Sequence, residues 1–105
     1  MKKAEKSKKT MTEKETHIDL PENTIEVRID DFEYGLRVYS DVRLARIKSS
    51  DYNIMIMADH MPIIGEMNGS LELVQSDKIE TINAVHAFYM HRNNVLSLLI
   101  KEYYV

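Results

Sequence analysis

The residues of this chain that could do chemistry are its histidines and carboxylates. The chain has four histidines, at positions 17, 60, 86 and 91, and His60 follows Asp59 where the apolar run "NIMIM" ends. A histidine beside a carboxylate in a loop is a candidate for acid–base catalysis or metal binding. No two histidines have the i, i+4 spacing of a helical metal site, and in extended chain Asp59 and His60 point to opposite faces. We therefore predict no catalytic residue and no metal site, and the loop is either a polar turn or a turn that directs the next strand toward a partner.

Other reactive motifs are missing from the sequence. It contains no cysteine, hence no thiol nucleophile and no zinc ribbon, which fits a cytosolic protein. Its three glycines, Gly35, Gly65 and Gly69, do not form a phosphate-binding loop, and no serine or threonine lies in a nucleophile elbow. We expect no cofactor and no enzymatic activity, and the default interpretation is an interaction or structural module.

Charge divides the chain into two parts. Residues 1–17 contain six lysines and three glutamates, whereas residues 18–105 contain eight basic and fourteen acidic residues. The first part has too few apolar residues to offset the entropy of ordering, so we predict a flexible lysine-rich arm over 1–17 and one domain over 18–105. The alternative is an arm that orders on an acidic partner. The acidic domain argues against nucleic-acid binding, and no apolar run approaches the ~20 residues of a membrane span.

The rest of the sequence reads as short strands. In "TIEVRI", the apolar residues Ile25, Val27 and Ile29 alternate with polar ones, and in "GLRVYSDVRLARI" the apolar face contains Leu36, Val38 and Val42. Turn residues recur at 49–51, 68–69, 75–78 and 93–94. This pattern predicts an all-β sandwich or barrel. Residues 83–91 are also compatible with two helical turns, and the continuous apolar run of "VLSLLIKEY" suits a strand covered on both faces.

Three segments resemble a known family in their order and spacing. "LARIKSSDYNIMIMADHMPII" (44–64), "MNGSLEL" (67–73) and "NAVHAFYMHRNNVLSLL" (83–99) are similar to the N-terminal domain of the epsilon subunit of F-type rotary ATP synthases. His60 and Pro62 fall on the family's histidine and proline. The resemblance implies a flattened β-sandwich of about ten short strands. It covers roughly residues 24 to 100.

The resemblance also implies a function without catalysis. The family's domain is part of the central stalk, where it clamps the gamma coiled coil and sits against the membrane ring of c subunits. We therefore expect a rotor subunit that helps to couple ATP hydrolysis or synthesis to rotation and proton transport. It would be cytoplasmic and peripheral on the membrane, with a gamma-like subunit, the c-ring and the alpha and beta subunits as partners. The expected gamma contact is His60, Met61, Pro62 and Ile63, and the expected ring-facing loop is Ser50, Asp51, Tyr52 and Asn53.

The sequence departs from the family at several positions. Lys48-Ser49 replaces a Pro-Gly turn, Tyr52 and Asn53 replace a glycine and an acidic residue of the ring-facing loop, and residues 85–87 replace a glycine-containing segment. The chain ends soon after its last expected strand, so we expect no regulatory helical hairpin and no ATP binding. Two alternatives follow: a freestanding β-sandwich interaction module, and a rotor subunit of a specialised F-like motor that is not coupled to a proton ring.

Overall fold

The computed structural model describes residues 23–103. They form six strands: β1 (Ile25–Asp31), β2 (Gly35–Ser49), β3 (Asn53–Met57), β4 (Ile63–Gln75), β5 (Ile79–Arg92) and β6 (Val95–Tyr103). No helix occurs in this part of the chain. The all-β prediction is confirmed, and residues 83–91, for which helix was an alternative, belong to β5. The expected arm, residues 1–17, lies outside the described residues.

The strands form one sheet that closes on itself. Its order is β1-β6-β5-β4-β2-β3, and β1 also pairs with β2. Five strands thus make a ring, in which β1 is antiparallel to β2 and parallel to β6, while β3 extends the edge of β2 outside the ring. All other pairings are antiparallel. Closure leaves the strands of the ring with few free edges, which is one way for a β protein to avoid edge-to-edge association.

Three long strands change neighbours part-way along their length. β2 pairs with β1 through its first half and with β3 and β4 through its second. β4 and β5 also switch, near Gly69 and near Val85, and register irregularities mark the switches. Dividing these three strands at the switches turns the six strands into nine segments. The structure therefore has fewer and longer strands than the sequence suggested, but nearly as many segments, because bulges bend a strand without ending it.

By their pairing, the segments divide between two sides of the closed barrel, which we call the front and back layers. The front layer contains the first half of β2, β1, β6, the second half of β5 and the first half of β4; the back layer contains β3 and the remaining halves. Residues from both layers are buried between them, among them Ile25, Ile29, Leu71 and Leu98. Below, the front face and the back face are the outward surfaces of these layers.

Three local predictions were wrong. β6 is not covered on both faces, because Leu96, Leu98 and Ile100 are buried whereas Leu99 is 45% exposed. Asn68-Gly69 is not a turn but lies inside β4, where a Cβ on Gly69 would come within 2.0 Å of the Lys48 carbonyl oxygen. Glycine is therefore needed for the close approach of β2 and β4. Leu36 and Val38 do not share the buried face of Val42 but point to solvent. Asp41, with a φ of 59°, lies where the register of β2 shifts between Tyr39 and Val42, and both of these residues consequently face the core.

The remaining turns agree with the sequence. Asn93 and Asn94 have φ values of 53° and 62° and join β5 to β6, as expected for a two-residue hairpin turn in which both central residues are left-handed. The Gln75 amide donates to the Lys78 carbonyl at 2.8 Å and closes the turn between β4 and β5.

Candidate interaction surface

The loop of residues 58–62, which joins β3 to β4, holds the expected gamma contact. The His60 amide donates to the Met57 carbonyl at 3.1 Å, and its Nδ1 donates to the Met61 carbonyl at 2.8 Å. Asp59 adopts a positive φ of 67°, and its amide donates to Oδ1 of Asn94 at 2.7 Å. The loop is thus shaped by a few local hydrogen bonds and one bond to the neighbouring β5–β6 turn.

A second histidine lies beneath this loop. His91 is 0% exposed, and its ring meets that of His60 edge to face, with 5.8 Å between the ring centroids. Neither ring nitrogen has a hydrogen-bond partner among the described residues. Burial lowers the pKa of His91, the nearby His60 lowers it further, and the Met61 backbone opposes the shift. An imidazole sealed from solvent cannot act on a substrate, so the pair is a packing contact in this conformation.

The four expected gamma-contact residues divide into two groups. Met61 and Pro62 are exposed, Met61 to 71%, whereas His60 is half-buried and Ile63 packs against the core. The residue that follows, Ile64, points outward and is 78% exposed. The outward surface at the start of β4 therefore includes Ile64 in place of Ile63, because the strand alternates its side chains between the two faces.

The expected ring-facing loop lies at the other end of β3, so the structure does not bring the two expected sites together. The Ser49 amide donates to the Tyr52 carbonyl at 2.8 Å, and the Ser50 amide donates to the Asn68 carbonyl at 2.9 Å. Tyr52 turns inward: its hydroxyl donates to the Glu66 carbonyl at 2.7 Å and lies 2.9 Å from the Tyr89 hydroxyl. Burial, and then the contact with Tyr89, raises the pKa of Tyr52.

The exposed part of this loop is small and polar. Ser50, Asp51 and Asn53 are exposed, whereas Tyr52 is half-buried. Tyr52 therefore anchors the loop to β4 and β5, and Asp51 is the carboxylate that the loop presents.

The front face carries an apolar surface that the sequence interpretation missed. Phe88 lies opposite Leu99 on β6, and Met90 lies opposite Ile64 on β4. All four side chains are at least 44% exposed. We call these residues, Ile64, Phe88, Met90 and Leu99, the front cluster. Because Phe88 and Met90 are two residues apart on one strand, the four side chains form one continuous patch.

A groove extends this patch across the front layer. It has a volume of about 540 Å³, and Leu36 lies on its far side. Arg28, Asp30 and Ser97 separate Leu36 from the front cluster. A mostly apolar groove that contains a few placed polar groups is typical of a binding surface.

Charged side chains flank the front cluster. His86 Nε2 donates to Oε2 of Glu66 at 2.5 Å, and Lys101 Nζ lies 3.7 Å from the same oxygen. The hydrogen bond from His86 and the charge of Lys101 lower the pKa of Glu66. Lys101 also lies 4.6 Å from the ring centroid of Phe88. The apolar patch thus has a polar rim, as protein interfaces do.

A buried carboxylate holds one end of the front layer. Oδ1 of Asp31 accepts the amides of Glu33 at 2.8 Å and Tyr34 at 2.5 Å. Its Oδ2 accepts Nη2 of Arg37 at 3.0 Å and the Tyr103 hydroxyl at 3.1 Å. Burial raises the pKa of Asp31, but these hydrogen bonds outweigh it, so the pKa is lowered. Asp31 therefore ties the β1–β2 turn to β2 and to the end of β6.

Comparison of the chain with known proteins does not identify a family. No protein-family model matches this chain, and no curated protein matches it either. Within residues 23–103, no helix is long and apolar enough to span a membrane. No group of three or more histidine or acidic residues that could hold a metal ion occurs in the same part of the chain.

Proposed function

We propose that this protein is a non-catalytic rotor subunit of an F-type or F-like ATPase, and that it binds a gamma-like coiled-coil subunit through the front cluster. It would be cytoplasmic and peripheral on the membrane through the motor complex, and it would help to couple ATP hydrolysis or synthesis to rotation. The observation that carries the proposal is the origin of the front cluster. Ile64 comes from the first segment that resembles the epsilon family, and Phe88, Met90 and Leu99 come from the third.

The shape and chemistry of the front face support a helical partner. Coiled-coil helices present a continuous apolar stripe flanked by charged residues, and such a stripe matches an apolar patch with a polar rim. Met61, one of the residues expected at the gamma contact, is 71% exposed and lies three residues before Ile64 of the front cluster. Large apolar side chains exposed together on one face are typical of a surface that another protein covers.

The loop at residues 50–53 supports a second candidate, a rotor subunit of a motor without a proton ring. In the epsilon family, which the sequence resembles, the corresponding loop faces the ring of c subunits. In this chain the loop presents Asp51, while Tyr52 is turned inward. We propose that the loop faces the membrane side of the motor. Because the loop presents one carboxylate, we expect its contact with the membrane side of the motor to be weaker than, or different from, the contact made by the epsilon family. The alpha and beta subunits complete the proposed set of partners.

Two exposed isoleucines provide a matched test. Ile64 lies in the front cluster and is 78% exposed; Ile79 lies at the start of β5 in the back layer and is 61% exposed. The protein would be co-expressed with the gamma-like chain from the same genome, and binding would be measured by size exclusion and titration. We expect Ile64→Glu to weaken binding more than about tenfold and Ile79→Glu to change it less than about twofold.

The same experiment separates the candidates. Equal effects of the two substitutions would place the partner elsewhere than on the front cluster. Failure of the wild-type protein to bind the gamma-like chain, under conditions in which the rest of the motor assembles, would refute the rotor function and leave a freestanding interaction module.

A further inference from the structure

We propose that the His60–His91 pair is a pH-sensitive latch, in which protonation of His91 opens the loop of residues 58–62 before the strands unfold. The inference concerns regulation of the surface described above, and its consequence for a partner rests on the proposed function. The opening of the loop itself is a property of the isolated protein.

The latch is built on a buried imidazole with no counter-ion among the described residues. His91 is 0% exposed, and neither ring nitrogen meets the distance and angle of a hydrogen bond, although the Met61 backbone lies close enough to favour the protonated ring. A neutral imidazole tolerates such a site, but an imidazolium there would be a buried charge without a counter-ion, which is strongly unfavourable. Protonation therefore requires either a move of the side chain to water or an opening of the structure that covers it.

The neighbours of His91 decide which part opens. Across the sheet it faces Ile63 on β4 and Leu96 on β6, neither of which ionises. The titratable group that faces it from the loop is His60, whose ring lies 5.8 Å away. His60 is half-buried, and no carboxylate is recorded in contact with either ring within the described residues, so a charge on His91 would have no counter-ion there.

The loop is the weakest cover over His91. It is held by the bonds from the His60 amide to Met57 and from the Asp59 amide to Asn94, whereas β4, β5 and β6 are joined by continuous ladders. Short segments with few hydrogen bonds open at lower free energy than strands in a sheet. Opening the loop would displace Met61, which is 71% exposed and three residues before Ile64 of the front cluster, and would thereby alter the proposed partner surface.

The test follows amide hydrogen exchange of the full chain at about pH 7.5 and about pH 5, corrected for the intrinsic pH dependence of exchange. We expect exchange at the hydrogen-bonded loop amides of Asp59 and His60 to rise at least about tenfold more than exchange in β6. His91→Phe keeps a ring of similar size but cannot be charged, so it should abolish the difference; His91→Leu is a second variant of the same kind. His86→Gln, on the same strand but on the outer surface, is the matched control and should preserve the difference.

Several results would overturn the latch. These are a loop that exchanges alike at both pH values, an acid effect that survives in a folded His91 variant, or simultaneous opening of the loop and β6. A titration of the wild-type imidazoles by NMR decides the matter even if neither variant folds. The loop amides must shift with the midpoint of His91, and a separate midpoint refutes the proposal.

Partner binding is measured separately, so the two proposals can fail independently. A loop that opens in acid while no gamma-like partner binds at any pH leaves the latch intact and refutes the rotor function. A partner that binds equally well at both pH values while the loop opens refutes the regulatory consequence.

Discussion

The front and back faces of this protein are built from the same three long strands, yet they differ in what they expose. The front face presents the four-residue apolar cluster beside a groove of about 540 Å³. The back face has a smaller pocket of about 280 Å³ that is lined by Arg46 and Lys48, and Arg46 forms an ion pair with Glu72. Its exposed Met55 and Met57 lie on the short edge strand β3.

The two faces also differ in how their apolar side chains are arranged. Both faces follow the alternation of strands, so alternation alone does not explain how they differ. On the back face, Met55 is opposite Arg46, but Met57 is opposite Leu44, and Leu44 pairs with Val74, which is opposite Ile79. An apolar row therefore crosses the back face too, beside the ion pair. The two rows differ in exposure: all four side chains of the front cluster are at least 44% exposed, whereas Leu44 and Val74 are half-buried.

The largest effect we predict comes from the point where β4 passes from the front layer to the back layer. In Gly69→Ala, the new Cβ would overlap the Lys48 carbonyl oxygen, because the two backbones are in close contact. We expect a loss of about 3 kcal/mol in the free energy of unfolding, measured by chemical denaturation.

Gly35→Ala is the control for this substitution. A Cβ at Gly35 meets nothing within 4 Å, but its φ of 77° is unfavourable for alanine, so we expect a loss of about 1 kcal/mol. If both substitutions lowered the free energy of unfolding equally, the close contact between Gly69 and the Lys48 carbonyl would not be important for stability.

The second prediction concerns the carboxylate at the end of the front layer. Asp31→Asn removes a charge that accepts bonds from two amides, Arg37 and Tyr103, so we expect a loss of about 2 kcal/mol in stability at neutral pH. The pKa of Asp31 is lower in the folded state than its ordinary value of 3.8. Its contribution is therefore complete above about pH 4 and is lost as the pH falls through the folded-state pKa.

Denaturation of both proteins as a function of pH checks this sign. The difference in stability between wild type and Asp31→Asn should be constant from neutral pH to about pH 4 and should narrow below it. A difference that grows in acid would contradict the assignment of Asp31 as a charged acceptor.

The sequence predicted the parts of this fold that depend on local pattern. Ile25, Val27 and Ile29 alternate with polar residues and are all fully buried, and the turn residues Asn93 and Asn94 do join two strands. The front cluster was missed for a physical reason. In "AFYMH" both alternating sets contain apolar or aromatic residues, so the pattern does not tell which set faces the core.

The same ambiguity hid the burial of His91, which shares the inward set with Ala87 and Tyr89. The register shift in β2 at Asp41 and the close approach at Gly69 depend on contacts between strands, which a local pattern does not contain. Predicting the candidate site would therefore have required the register of the strands, whereas predicting the fold class did not.

The third prediction sharpens the comparison of the faces with two methionines of equal exposure. Met90 on the front and Met55 on the back are each 44% exposed. Replacing either with glutamine keeps its length and removes its apolar character. We expect Met90→Gln to weaken binding of a gamma-like partner about fivefold, and Met55→Gln to leave it unchanged within error. A larger effect at Met55 would assign the partner to the back face.

The smallest effect is expected at the ion pair on the back face. Glu72 and Arg46 are partly exposed, with side-chain exposures of 21% and 35%, so water screens their attraction. Pairs of this kind contribute little, and we expect Glu72→Gln to lower the free energy of unfolding by less than about 0.5 kcal/mol, with the remaining effect reduced by added salt. The contrast with Asp31 is one of burial, because the Asp31 side chain is only 2% exposed and accepts two amides as well as an arginine. If denaturation showed Glu72→Gln to be as costly as Asp31→Asn, the back-face pair would be part of the folded framework. The pair would then no longer count as a surface feature that merely lies beside apolar side chains.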